Sequence, residues 1–290
     1  MSHRLDNRRW DGKVVTPMTL NHAKIAVAFL LLAFAVLEIR KGDFGAGASR
    51  QNTSVDVLSA LLAPGVILTA VLLTSASVFS MVLPGAVGVL EGFPAVFVFG
   101  LLLIGDDLTQ YWWHRLTHAT PALYALHRSH HSPDYLSIRV VYRNNVVYYL
   151  LMPGVWISGA IVAMGGGHVY PLYILCKMSV IIAAHSSVPW DQPLWRYRWG
   201  RALMWAVERV ISTPATHAAH HGRHVSDGVT HYKGNYGNFL FLWDVLFGTA
   251  LITRRWPDAY GIEGLEPWHP MRELFWPFPP RDGAGSASGD

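Results

Sequence analysis

Eight histidines fall into three tight groups: His114 and His118 in HRLTH, His127, His130 and His131 in HRSHH, and His217, His220 and His221 in HAAHH. In a chain of 290 residues with 15 histidines, an HxxHH pattern is expected by accident on the order of 0.04 times, yet it occurs twice. Residues three and four apart share a helix face, so each group points two or three imidazoles in one direction. That is a metal-ligating pattern, and eight or more imidazoles exceed what one ion takes, so two metal ions are implied. Imidazole suits iron, zinc, copper and nickel alike. Cys176 is the only cysteine, which excludes an internal disulfide and any thiolate-rich metal site. The HExxH signature of zinc proteases is absent, and zinc hydrolases typically use only three protein ligands. Two redox ions in an all-nitrogen cage beside a membrane point to oxygen activation against a lipid.

The residues around these groups extend the pattern. Asp107, Tyr111, His114 and His118 follow one another at i, i+4, i+7 and i+11, so Asp107 is expected to accept a hydrogen bond from the ring N–H of a ligating histidine, with Tyr111 beside it. His185, in AAHSSVPW, is read as a ninth ligand, while His224 and His231 are read as neighbours that support the ligands. His3, His22, His168 and His269 lie outside any group and receive no role.

The elements that position these residues must be largely membrane helices. Hydrophobic residues make up 51% of the chain and charged ones 14%, well below the roughly 25% of an ordinary soluble domain. Residues 57–83 carry no charge and are long enough to cross a bilayer; 86–105, 146–164 and 170–184 are further candidates, and 25–37 either spans with a tilt or lies in the interface. The 146–164 and 170–184 runs flank Gly165, Gly166, Gly167 and His168 and read as a helical hairpin that returns the chain to its starting side. Arg4, Arg8, Arg9 and Lys13 put the N-terminus in the cytoplasm, and the basic stretches holding the histidine groups prefer the same side, so an even number of crossings is expected before Asp106. The expected architecture is all-α: about four membrane spans with a cytoplasmic helical cap holding the di-metal centre. It divides into an N-terminal segment with a possible first span (1–56), a catalytic membrane domain (57–252) and a C-terminal segment with a disordered tail at 281–290 (253–290).

The net charge of +4 is spread along loops and reads as membrane topology, with no nucleic-acid partner. Trp190, Trp195, Tyr197, Trp199 and Trp205, interleaved with arginines, read as an interfacial belt. Residues 235–249, NYGNFLFLWDVLFGT, read as a closing segment beneath the metal site.

YWWHRLTH, HRSHHS, TPATHAAHH and that closing segment resemble the fatty acid hydroxylase and sterol desaturase superfamily of membrane di-metal oxidases, over roughly residues 107–249. The sequence departs from many members by Arg143-Asn144-Asn145 in place of Arg-x-His-Pro, and by Ala218 in place of an arginine. The resemblance implies a non-haem centre of two iron ions, with zinc as a substitute in purified material, held by His114, His118, His127, His130, His131, His217, His220 and His221, with His185 carried over as the isolated histidine. It implies O2 as co-substrate and hydroxylation or desaturation of a sterol or fatty-acyl lipid drawn from the bilayer. The sequence has no GxGxxG fingerprint, and His269-Pro270 is not followed by the glycines of a cytochrome b5 haem motif, so electrons are expected from a separate reductase with ferredoxin or cytochrome b5. The rival readings are a membrane metal transporter, whose ligands should lie at the bilayer midplane, a bis-histidine haem protein, and a di-zinc hydrolase. The excess of arginine over lysine and the ending GSASGD point to a bacterial inner membrane rather than the endoplasmic reticulum.

Overall fold

Helix α1 (Leu20–Lys41) starts where the Thr19 hydroxyl accepts the His22 N–H at 3.2 Å and stops at Gly42, whose φ of 84° breaks the helical path. Helix α2 (Arg50–Leu62), capped by Ser49, runs through a π turn (Ala63–Ile67) into α3 (Leu68–Val82). The π turn begins beside Pro64, which has no N–H to give the regular ladder. The computed structural model describes residues 18–278, together with two paired two-residue strands, Arg9–Trp10 and Lys13–Val14. Arg4, Arg8 and the tail 281–290, on which sequence expectations rested, lie outside the described residues.

Among the described residues, α1 and the continuous helix Arg50–Val82 are long and apolar enough to cross a bilayer. Twenty-two residues at about 1.5 Å each reach roughly 33 Å, the thickness of the hydrocarbon. Only 17% and 28% of their apolar windows are buried, leaving side chains such as Phe29 and Met81 bare. Faces that apolar need lipid around them, and the chain is an integral membrane protein.

The other apolar runs differ from expectation. In 86–105, a short 3₁₀ turn (Pro84–Ala86), Gly88 in the left-handed region and Pro94 delay the helix until α4 (Ala95–Leu102). It continues through a second π turn (Leu103–Leu108) into α5 (Thr109–Ala119), and α6 (Pro121–His131) follows. The 146–164 run is two helices, α7 (Val146–Leu151) and α8 (Pro153–Ala163), because Pro153 holds Met152 extended. After Gly165 and the turn Gly166–His168 comes α9 (Tyr170–His185). The expected hairpin is not a side-by-side pair: α8 packs chiefly on α3 and α9 on α1. Gly159 permits the α3–α8 approach, since a Cβ there would lie 2.6 Å from the Leu72 carbonyl oxygen.

Contacts at the helix ends give the directions in which the helices run. Glu38 near the end of α1 accepts hydrogen bonds from Ser186 Oγ and Ser187 N, directly after His185, and Asp56 of α2 binds Arg143, which also bonds the Ser129 carbonyl inside the second histidine group. The far end of α3 leads to a loop tied to the α8–α9 turn, where Leu90 N donates to Met164 O at 2.7 Å. Helices α4–α5 then run back to the histidines. Three runs of alternating direction thus precede the first histidine group, and two of them, α1 and Arg50–Val82, are long and apolar enough to cross a bilayer.

Helices α10 (Arg198–Val210), α11 (Pro214–His221), α12 (Leu242–Leu246) and α13 (Pro270–Phe275) complete the chain. Helix α10 buries Gly200, Met204 and Glu208 and exposes Trp199, Leu203 and Trp205, an amphipathic pattern with basic residues at the rim.

Candidate metal centre

Four elements converge to bring the nine sequence-predicted histidines together. His114 and His118 come from α5, His127, His130 and His131 from the last turn of α6, His185 from the end of α9, and the remaining three from α11. Helix α11 is only eight residues long but well specified: Thr213 and Thr216 form a reciprocal cap and Pro214 occupies the first turn. The rings fall into two groups whose ligand atoms lie within 4.8 Å of one another: His114, His118, His127, His131 and His220 in one, His130, His185, His217 and His221 in the other. Each HxxHH box is therefore shared. Its first and last histidines, one turn apart, serve one group, and the middle one, rotated off that line, serves the other. The groups adjoin, with the His131 and His221 rings 4.4 Å apart.

Hydrogen bonds fix which nitrogen faces the centre. The Nδ1–H groups of His114, His130, His185 and His220 donate to the backbone carbonyls of Tyr236 (2.7 Å), Arg143 (3.0 Å), Ile181 (2.8 Å) and Gly234 (2.7 Å), and His127 Nδ1 pairs with Asn144 Oδ1 at 2.8 Å. A carbonyl only accepts, so these rings carry their proton on Nδ1 and turn a bare Nε2 lone pair inward. Yet His114 Nε2 and His220 Nε2 lie 3.0 Å apart, and His130 Nε2 and His185 Nε2 3.4 Å apart. Two lone pairs at that distance repel unless a cation lies between them, and one such pair occurs in each group. Protons are a poor answer, because burial holds the imidazoles of His127, His130, His131, His217, His220 and His221 well below the usual histidine range. Nitrogens bound about 2.0–2.1 Å from one ion lie about 2.9–3.4 Å apart. The donor set fits metal ions in both groups.

The carbonyls that orient the rings are themselves anchored. Asp244 accepts Tyr236 N at 2.8 Å, Gly237 N at 2.6 Å and the Thr249 hydroxyl at 2.6 Å. Asn235, in the left-handed region with φ 54°, donates to Thr216 O and Leu251 O and accepts Leu251 N, tying the closing segment to α11. Arg143, 1% exposed, donates to the Ser129 carbonyl, Asn52, Ser132 and the Asp56 carboxylate, clamping the strip that holds His127 and His130.

The expected supporting residues are placed otherwise. Asp107 reaches no imidazole: its carboxylate accepts Leu240 N at 3.1 Å and Trp243 Nε1 at 2.8 Å, and so fixes the closing segment. Its helix turns through the π segment, which rotates it away from the line extrapolated from an ideal helix. Tyr111 bonds Thr249 Oγ1 at 2.9 Å and stacks on Phe247. His224 faces Glu263 at 3.5 Å, and His231 pairs with the Thr249 carbonyl. The true ring partners are mostly backbone carbonyls, which no residue type announces. Asn144 is the exception, visible in the sequence only as a departure from a pattern. Its replacement by leucine is expected to weaken metal binding about 10–100-fold, while Asn144→Asp, which keeps an acceptor, retains it; competition with a graded chelator measures both.

A cavity of about 120 Å3 opens on the inner side of the centre. His114, His127, His130 and His185 line it, as do Met152, Val155, Ile174, Met178 and Ile181, and it also reaches Asp106, Gln110 and Lys177. Imidazoles at the head of an apolar-walled cavity suit oxidation of a hydrocarbon chain.

The stretch that builds this centre is shared with known proteins. The model of the family described as fatty acid hydroxylase matches residues 99–249. Alkylglycerol monooxygenase of Danio rerio is 29% identical over 149 residues, covering 51% of this chain and 29% of that protein. Its Homo sapiens counterpart is 27% identical over 148 residues, 50% and 29% of the two chains, and that of Xenopus tropicalis 24% over 180 residues, 61% and 34%. The matched stretch thus spans about a third of the length of these relatives. No solved structure matches the chain.

Proposed function

Because the chain belongs to the fatty acid hydroxylase family, we propose that it is a membrane-bound oxygenase that uses O2 to hydroxylate or desaturate a C–H bond of a sterol, fatty-acyl or alkylglycerol-type lipid. The observation that carries this reading is the pair of donorless nitrogen contacts, His114 with His220 and His130 with His185, at the head of an apolar cavity. Two irons held by the nine histidines would supply reduction of O2 and oxidation of the C–H bond.

The protein's own part is positioning and exclusion. Carbonyls of Tyr236, Arg143, Ile181 and Gly234 hold four rings in one tautomer, so no proton must leave before a ligand binds. Met152, Val155, Met178 and Ile181 keep bulk water from the chain being oxidised. Helix α10, with its tryptophans and arginines, lies in the headgroup region and brings the cap against the cytoplasmic leaflet of a bacterial inner membrane. Helices α8 and α9, 11 and 16 residues long, dip into the bilayer and return, since about 24 Å is the most either covers. The lipid enters laterally, and electrons come from a separate reductase with ferredoxin or cytochrome b5.

Comparative lipid mass spectrometry of cells with and without the gene tests this reading. A lipid species one oxygen heavier, or two hydrogens lighter, should depend on the gene and on aeration. Identical lipid profiles under both conditions would overturn it.

A further inference from the structure

The cavity does not end in hydrocarbon. Asp106 and Lys177 form an ion pair of 2.7 Å at its inner end, and both are more than nine-tenths buried. Asp106 sits in the π turn Leu103–Leu108, a departure from regular helix of the kind found at functional sites. Gly154 makes room for it, since a Cβ there would collide with Asp106 Oδ1 and lie 2.8 Å from its carbonyl oxygen. Asp106 Oδ1 lacks a partner within hydrogen-bonding distance, with the Tyr173 hydroxyl beside this carboxylate and also unpaired, and Gln110 Oε1, one helical turn closer to His114, has none either. Buried acceptors left unpaired are costly, and a charge pair inside an apolar wall is rarely kept for stability alone.

We propose that Asp106, Gln110 and Lys177 form a receptor for a neutral hydroxyl-bearing end of the lipid substrate. This rests on the reading of the chain as a lipid oxygenase and names its substrate class. A hydroxyl suits the site because it both donates and accepts: its O–H satisfies Asp106 Oδ1 or Gln110 Oε1, and its oxygen takes a free N–H of Lys177. A carboxylate or phosphate meets two bare acceptor oxygens and is disfavoured. His114 follows Asp106 by eight residues, and His185 follows Lys177 by eight, so the polar end lies on the order of 12 Å from the imidazoles. The attacked carbon therefore lies at a fixed distance from the hydroxyl, whatever the length of chain beyond it.

The test measures binding rather than turnover. Protein in nanodiscs is dialysed against 1-decanol, decyl methyl ether or decanoate, with binding to empty nanodiscs subtracted. Wild type should prefer decanol about tenfold over either, the usual worth of a hydrogen bond to a charged group. Gln110→Leu and the double variant Asp106→Leu/Lys177→Met, which removes the ion pair without leaving one charge alone, should bind all three alike while keeping full metal content. Equal binding by wild type, or a preference that survives in both variants, overturns the proposal. Failure of the oxygenase reading shows separately, as lipid profiles unaffected by the gene.

Discussion

Alanine at His220 should strip metal from the five-histidine group, and alanine at His217 from the four-histidine group. Each variant should lower the metal content from two ions per chain and cut turnover at least about a hundredfold. Even loss of a residue that only orients a ligand costs 10–100-fold, and these rings are the proposed ligands themselves, buried with Nε2 atoms 3.0 Å from His114 and 2.9 Å from His185. The pair of variants is informative because the two residues are one turn apart in the same short helix yet belong to different histidine groups. If the sharing of boxes between groups is right, His220→Ala leaves the four-histidine group intact, and His217→Ala leaves the five-histidine group intact. Elemental analysis beside gel filtration checks this; full metal content in both variants would remove the basis for two ions.

The second large effect is expected at Arg143. Its guanidinium is tied at 2.7 Å to Asp56 and at 2.7 Å to the Ser129 carbonyl, with further bonds to Asn52 and Ser132. Arg143→Met leaves Asp56 with Arg139, at 2.9 Å, as its only cation among the described residues, and strands buried carbonyls. Removing one partner of a buried pair costs about 3–5 kcal/mol; with Arg139 remaining, we expect the lower end. Arg143→Lys keeps the charge but loses the planar fork that reaches several acceptors, so it should fall between wild type and methionine in thermal unfolding. Because the Arg143 carbonyl orients His130, metal retention should follow the same order.

These residues also show what could be read from the sequence. The three histidine groups, His185 as a ninth member of the cluster, and a closing segment at 235–249 were legible because residue type and spacing carry them. The division of each box between two groups was not, since it depends on how α6 and α11 face each other across the centre. Glu38 directly follows the apolar run 25–37, where a charge would ordinarily mark the water boundary. It is instead fully buried, accepting from Ser137, Ile138, Ser186 and Ser187, and joins α1 to both strips beside the site. Asp107 was misplaced by extrapolating a straight helix through a π turn.

Isotope labelling separates oxygenation from hydrolysis. Purified protein, reconstituted with iron and a reducing system, is given lipid extract from its host under 18O2 in ordinary water. The account predicts a hydroxylated lipid that carries one 18O atom, or an alkene whose formation requires O2. A product formed equally well without O2 that takes its oxygen only from water would contradict it and identify the histidine centre as that of a hydrolase.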